Sequence, residues 1–145
     1  MAKIEASEMI DRPAEKVWKF VTNLSNMPKW DPGVLEARQT SAGPFGAGAT
    51  FETIHANQRY SFRVIEYEVN RKYTFEFALG PLKGTRLGQT FETIDEKTRL
   101  TETIDPKIGG FYKLLGTYVA RRLKRVDRAN VDNVKRVLEA EAPLA

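Results

Sequence analysis

The only histidine of the chain, His55, is followed five residues later by Tyr60. An imidazole titrates near neutrality without perturbation, and a phenol beside it completes a pair able to move a proton in a cyclisation or dehydration. Glu102 is the third candidate for such work. Set among aromatic side chains, a carboxyl group is desolvated and its pKa climbs toward the range useful for acid–base chemistry. Glu66 shares that prospect only if no bulge interrupts its strand. Plainer readings stand beside these. His55 borders a turn that solvent reaches, and either glutamate can pair with Arg63, Arg86 or Arg99 on neighbouring strands. The catalytic assignment therefore stays open, with His55, Tyr60 and Glu102 as its candidates.

Other chemistries are excluded by what the chain lacks. Without cysteine there is no disulfide, thiolate nucleophile or Cys-rich zinc site, and a single histidine leaves no His pair for a metal. No serine has an adjacent histidine and no Gly-x-Ser-x-Gly elbow occurs, which removes hydrolysis by an activated serine. The glycine-rich "SAGPFGAG" lacks the Lys-Ser/Thr ending of a phosphate loop and joins two strand-like runs. Neither a metal nor a cofactor is expected.

The net charge of +4 and the pI near 9.4 would suit an anionic partner, but the basic residues concentrate in "RRLKRVDR", Arg121 to Arg128. Asp127, Asp132 and Glu139 dilute that run, which reads as a solvated helix face. No nucleic-acid recognition motif accompanies it, so nucleic acid is not an expected partner. Phe111, Leu114 and Tyr118 project just upstream, and with the basic face they offer an alternative use as a peripheral membrane contact or a homodimer contact. No apolar run reaches the roughly 18 to 20 residues of a membrane span, and the opening "MAKIEASEMIDRPAEK" is charged throughout; the expected location is cytoplasmic.

These side chains need a scaffold, and 145 residues suffice for one domain with one core, spanning 1–145. Lys3 to Ile10 alternates as a strand, and "DRPAEKVWKFVTN" follows with Pro13 in the first helical turn and Val17, Phe20, Val21 and Leu24 at helical spacing. "LSNMPKWDPG" reads as a short helical turn or loop holding Trp30. Strands are then expected at Val34 to about Thr40, Ala49 to Ala56, Arg59 to Val69, Lys72 to Leu79, Thr85 to Ile94 and Thr98 to Ile104, in an antiparallel meander. From about Phe111 to Glu141 the period becomes helical, with no proline before Pro143 and Gly116 as the only glycine. The word "TFETI" recurs at Thr50–Ile54 and Thr90–Ile94 with no similarity around it, so it marks two half-buried strands and not a duplication.

Tight hairpins allow provisional pairings. A two-residue Asn57-Gln58 turn sets His55 opposite Tyr60, Thr53 opposite Phe62 and Phe51 opposite Val64; a two-residue Asn70-Arg71 turn sets Val64 opposite Phe77 and Glu66 opposite Phe75. The "DEKT" turn sets Thr93 opposite Leu100, Phe91 opposite Glu102 and Gln89 opposite Ile104. The resulting inner face carries Phe51, Tyr60, Phe62, Val64, Tyr73, Phe75, Phe77, Leu79, Leu87, Phe91, Leu100 and Ile104. A bulge near Val64-Ile65 is expected, because the apolar register changes there; it would turn Glu66 outward and Tyr67 inward. The long helix is the element large enough to cover this face, with Leu115, Val119, Leu123, Val126, Val134 and Val137 toward the sheet and Lys124, Arg125, Arg128 and Lys135 away from it.

This order, and the stretches "DRPAEKVWKFVTNLSNMPKWDP", "GAGATFET", "YSFRVIEYEVNRKYTFEF", "KTRLTETID" and "GGFYKLLGTYVARRLKRVDRANVDNVKRVLEA", resemble the START-like, Bet v 1-like (SRPBCC) superfamily in its polyketide cyclase/dehydrase and lipid-transport branch. The resemblance covers almost the whole chain. It implies an α+β helix-grip fold: a seven-stranded curved antiparallel sheet wrapped around a long C-terminal helix, with two short helices between the first two strands. It also implies a cavity between sheet and helix for a lipid, polyketide, sterol or quinone-like guest. The matching motifs are structural, and such a scaffold hosts many activities. The expected walls are Trp30, Phe51, Thr53, His55, Tyr60, Phe62, Phe75, Phe77, Gln89, Phe91, Glu102, Leu115 and Val119, mainly aromatic with a few polar groups. The expected function is binding or transport of that hydrophobic molecule, or, as the alternative, polyketide aromatase/cyclase or dehydratase chemistry in the same space.

Overall fold

The computed structural model describes residues 3–107 and 116–141. Strand β1 (Ile4–Ile10) leads into helix α1 (Ala14–Thr22), a 3-10 turn (Leu24–Asn26) and helix α2 (Met27–Trp30). Six strands follow: β2 (Glu36–Gln39), β3 (Thr50–Ile54), β4 (Arg59–Glu68), β5 (Lys72–Phe77), β6 (Arg86–Ile94) and β7 (Lys97–Asp105). Helix α3 (Gly116–Ala140) follows. All seven strands form one antiparallel sheet in the order β1-β7-β6-β5-β4-β3-β2. This is the expected helix-grip architecture. The expected helix start near Phe111 lies outside the described residues.

Local chemistry accounts for the elements. Pro13 takes the cap position of α1 in an extended conformation, and its carbonyl accepts from the amides of Lys16 and Val17. Val17, Trp18, Phe20 and Val21 then bury one side of α1. Trp18 sits at the hub of an aromatic cluster, with ring centroids 5.0 Å from Tyr67, 5.2 Å from Phe91 and 6.2 Å from Tyr73, all edge-on as the ring quadrupoles favour. Both copies of "TFETI" place their phenylalanine, Phe51 or Phe91, in the core.

The strand registers differ from those expected by small, interpretable steps. In the β3–β4 hairpin the tight turn is Ala56-Asn57, with the His55 amide donating to the Gln58 carbonyl at 2.7 Å. Thr53 therefore faces Tyr60 and Phe51 faces Phe62, in place of Phe62 and Val64. In β6–β7 the turn is Asp95-Glu96, both left-handed (φ 48° and 69°), so Phe91 faces Leu100, Gln89 faces Glu102 and Thr93 faces Thr98. Each shift is two residues, and side chains alternate with period two, so the inward set survives while its partners change.

Between β4 and β5 the turn takes three residues, with Asn70 at φ 64°, and the register slips between Val64 and Glu66. Val64 thus faces Phe75 and Glu66 faces Thr74, not Phe77 and Phe75. The expected bulge is present. Glu66 points outward to Lys72 at 2.9 Å, while Tyr67 turns in against Trp18. Leu79 departs from the expected inner face: it lies past the end of β5 and is 67% exposed.

Helix α3 is held unevenly. Asp127, Asn130, Val131, Val134 and Leu138 are buried, whereas no residue from Gly116 to Val126 is. Its C-terminal half is gripped by β1, β7 and α2, with Asn133 Nδ2 donating to the Trp30 carbonyl and Lys135 Nζ to the Met9 carbonyl. Arg128, expected on the solvated face, reaches back to the Ser7 carbonyl at 3.1 Å and to Glu8 and Asp132.

Candidate functional site

Because only the second half of α3 packs on the sheet, space remains under its first half. A cavity of about 850 Å³ lies there. Phe62, Phe75, Phe77, Leu87 and Ile104 form the sheet wall, and Val119, Leu123, Val126 and Ala129 form the helix wall. These are the alternate inward positions of four strands against one stripe of a helix. Leu82, Thr85 and Pro106 close one side, while Tyr118, Arg122 and Arg125, all exposed, stand at the rim.

The polar groups gather in one place. Asp31, Gly33, Thr53, His55 and Tyr60 all line the cavity. His55 Nε2 lies 3.1 Å from Thr53 Oγ1, and the Tyr60 ring stands edge-on to the imidazole with centroids 5.0 Å apart. A Cβ at Gly33 would sit 3.3 Å from His55 Nδ1, so the α2–β2 loop lies close against the imidazole. Asp31 Oδ1 accepts from the Gly33 amide at 3.2 Å. Burial pushes the Asp31 carboxyl above its ordinary pKa; the Gly33 amide and the field of His55 pull in the opposite direction.

Of the residues expected to line the cavity, Thr53, His55, Tyr60, Phe62, Phe75, Phe77 and Val119 do so. Five others are packed behind its walls. Phe51 is fully buried beneath Phe62, stacked at 5.0 Å. Phe91 packs on Trp18, and Trp30, on the short helix α2, lies in the core under α3. Gln89 and Glu102 face each other across β6 and β7, each 1% exposed. Leu115 lies outside the described residues, as do Phe111 and Leu114 of the suggested membrane or dimer contact; Tyr118 of that group is 60% exposed.

Glu102 has partners that the sequence reading did not assign. Its Oε1 accepts from Asn130 Nδ2 at 3.3 Å, and its carboxyl meets that of Asp127. Two carboxyl groups bond only when one carries a proton. Burial, then the neighbouring Asp127 charge, pushes Glu102 well above the usual range, and Asp127 is raised as well, chiefly by desolvation. The two acids face each other between β7 and α3, one layer behind the cavity, where a proton held by either would let them bond.

Asp127 and Asp31 are the functional-looking groups that sequence reasoning passed over. Asp127 falls four residues after Leu123 and seven before Val134, within the apolar stripe, and that wheel position was the available signal. Asp31 had only its Asp-Pro-Gly turn to mark it. Among the described residues no three of His, Asp and Glu gather as metal ligands, and no helix is long and apolar enough to cross a membrane.

Comparison with known proteins is consistent with this geometry. A search of curated proteins finds no match. Among solved structures, TTHA0849 from Thermus thermophilus superposes with a TM-score of 0.79 at 17% identity, covering 97% of this chain and 100% of that one. One stretch of the di-domain ARO/CYC BexL from the BE-7585A biosynthetic pathway gives 0.80 at 16% identity, covering 96% of this chain and 47% of that one. The Aha1 dimer from Colwellia psychrerythraea gives 0.59 at 20% identity, over 90% and 96%. At these identities the likeness is one of fold. The family described as polyketide cyclase / dehydrase and lipid transport matches residues 1–139, and the chain belongs to that family.

Proposed function

We propose that the chain binds or carries a hydrophobic small molecule, a lipid, polyketide, sterol or quinone-like body, between the sheet and the first half of α3. The observation that carries this reading is the cavity of about 850 Å³ with aromatic and aliphatic walls on both sides. A guest that loses about 300 Å² of apolar surface to such walls gains about 7 kcal/mol before the cost of association. The polar patch at Asp31, Thr53, His55 and Tyr60 would fix its orientation.

The test is native mass spectrometry of freshly purified protein, together with uptake of an apolar fluorescent probe. A bound hydrophobic mass, absent when Ala129→Trp fills the cavity, is the expected result. A wild-type protein that carries nothing and takes up no probe refutes the reading.

A second reading is favoured by one observation: Asp31, His55 and Tyr60 converge on a single part of an otherwise apolar chamber. Such an arrangement suits aromatase/cyclase or dehydratase chemistry, in which protons move between a folded polyketone and these groups. It also agrees with the aromatase/cyclase among the structural neighbours. Glu102 takes no part in it, being bound to Asn130 behind the wall. Asp31→Asn, His55→Ala and Tyr60→Phe should each lower turnover of a poly-β-ketone; the carrier reading has no turnover to lose.

A further inference from the structure

The rim of the cavity is more positive than the sequence suggests. Asp127 interrupts the basic run Arg121 to Arg128 in the sequence, but it is fully buried against Glu102 and points away from the rim. Arg128 turns to Glu8 and Asp132. Arg122 and Arg125 remain, one helical turn apart and both exposed on the cavity lining; among the described residues neither is within ion-pair distance of a carboxylate. Lys107, whose side chain lies along Gly84, and Lys83 on the same turn adjoin the lining residues Pro106, Leu82 and Thr85 in the chain; both are exposed and, among the described residues, unpaired. Residues 108–115, which join β7 to α3, read "IGGFYKLL" and contain no Asp or Glu. Two guanidinium groups thus stand on the lining of an apolar chamber with, among the described residues, no carboxylate within ion-pair distance, and two exposed lysines lie close by in the chain to Leu82, Thr85 and Pro106 of that lining.

Guanidinium pairs on one helix face match the planar oxygens of a carboxylate or phosphate, and low-dielectric walls beside them strengthen the attraction. We propose that the guest is an amphipathic anion, with its apolar body in the chamber and a carboxylate or phosphate head held at the rim by Arg122 and Arg125. This rests on the carrier reading and names its ligand class. The polar patch at Asp31, His55 and Tyr60 would meet the other part of the molecule.

The experiment measures affinities for a long-chain polyene carboxylic acid, its methyl ester and the matching phosphate monoester, read by polyene fluorescence. Wild-type protein should bind the acid or the phosphate at least about tenfold more tightly than the ester, with the advantage shrinking as salt rises. In the Arg122→Gln/Arg125→Gln protein that ratio should fall to about one. Arg71→Gln, on the β4–β5 turn outside the lining, should leave it unchanged. Preference for the acid over the phosphate assigns a free fatty-acid-like head, and the reverse assigns a phospholipid-like one. Equal binding of all three to the wild type overturns the anion proposal while the carrier reading stands. Binding of none overturns both.

Discussion

Replacing Asp127 by asparagine tests the buried acid pair directly. Its carboxyl is raised from 3.8 to about 7, so the folded protein holds a proton that the unfolded chain has already released. The sign follows: this contribution is complete below about pH 4 and is lost as pH rises through about 7. At about 1.4 kcal/mol per pH unit the loss reaches up to about 4 kcal/mol, and Glu102, raised further, continues the trend above that. The groups facing the pair partly offset one another: Asp31 raises Glu102, Glu5 raises Asp127 and Arg128 lowers it. Glu66 and Glu139, whose pKa values are lowered by Lys72 and Lys135, act in the opposite sense, but only at pH values below about 4.5. Thermal unfolding followed by circular dichroism from about pH 5 to pH 8 follows the pair, to which Asp31, also raised by burial, adds in the same sense. Wild type should lose on the order of 10 °C across that range, whereas Asp127→Asn, which keeps only the burial-raised Glu102 and Asp31, should lose clearly less and be the more stable protein at the alkaline end. A wild-type profile that is flat, or a variant less stable than wild type at pH 8, refutes the reasoning.

Other expectations are simpler to read. Trp18→Ala removes the hub that joins Tyr67, Tyr73 and Phe91 and should cost about 3 to 5 kcal/mol in urea unfolding. Glu96→Gly relieves a left-handed residue at φ 69° in the β6–β7 turn and should stabilise by about 1 kcal/mol with no change in any binding readout. Glu66→Gln breaks a half-exposed ion pair with Lys72 and should change stability by less than about 1 kcal/mol; a larger loss would mean that Glu66 does not point outward.

Much of the scaffold was legible because it rests on periodicity. Alternation placed Phe51, Phe62, Phe75 and Phe91 inward, and the phase change at Val64-Ile65 announced the bulge. Turn chemistry was harder to read. Ala56-Asn57 carries the β3–β4 turn in place of Asn57-Gln58, and no glycine marked Asp95-Glu96 as the tight pair, so partners slid by two while faces held.

The candidate site was legible where it coincides with an inward strand position, as at Thr53, Tyr60, Phe75 and Phe77. Depth was not. Whether an inward residue meets the chamber or the core depends on which element covers it: Glu102 lies under α3, Phe91 under Trp18 of α1 and Phe51 beneath Phe62, so all three sit behind the wall. Asp127 was hidden for a related reason: an acid in a basic run reads as surface until its partner on a distant strand is known.

The uneven hold on α3 clamps it from Asp127 onward and leaves Gly116 to Val126, about 16 Å of helix, standing over the chamber. A tilt of about 5° about the clamp would displace the helix at Gly116 by about 1.4 Å. The height of the chamber is therefore governed from one place, the seat of α3 around Asp127 and Val131, which lies apart from the aromatic hub around Trp18.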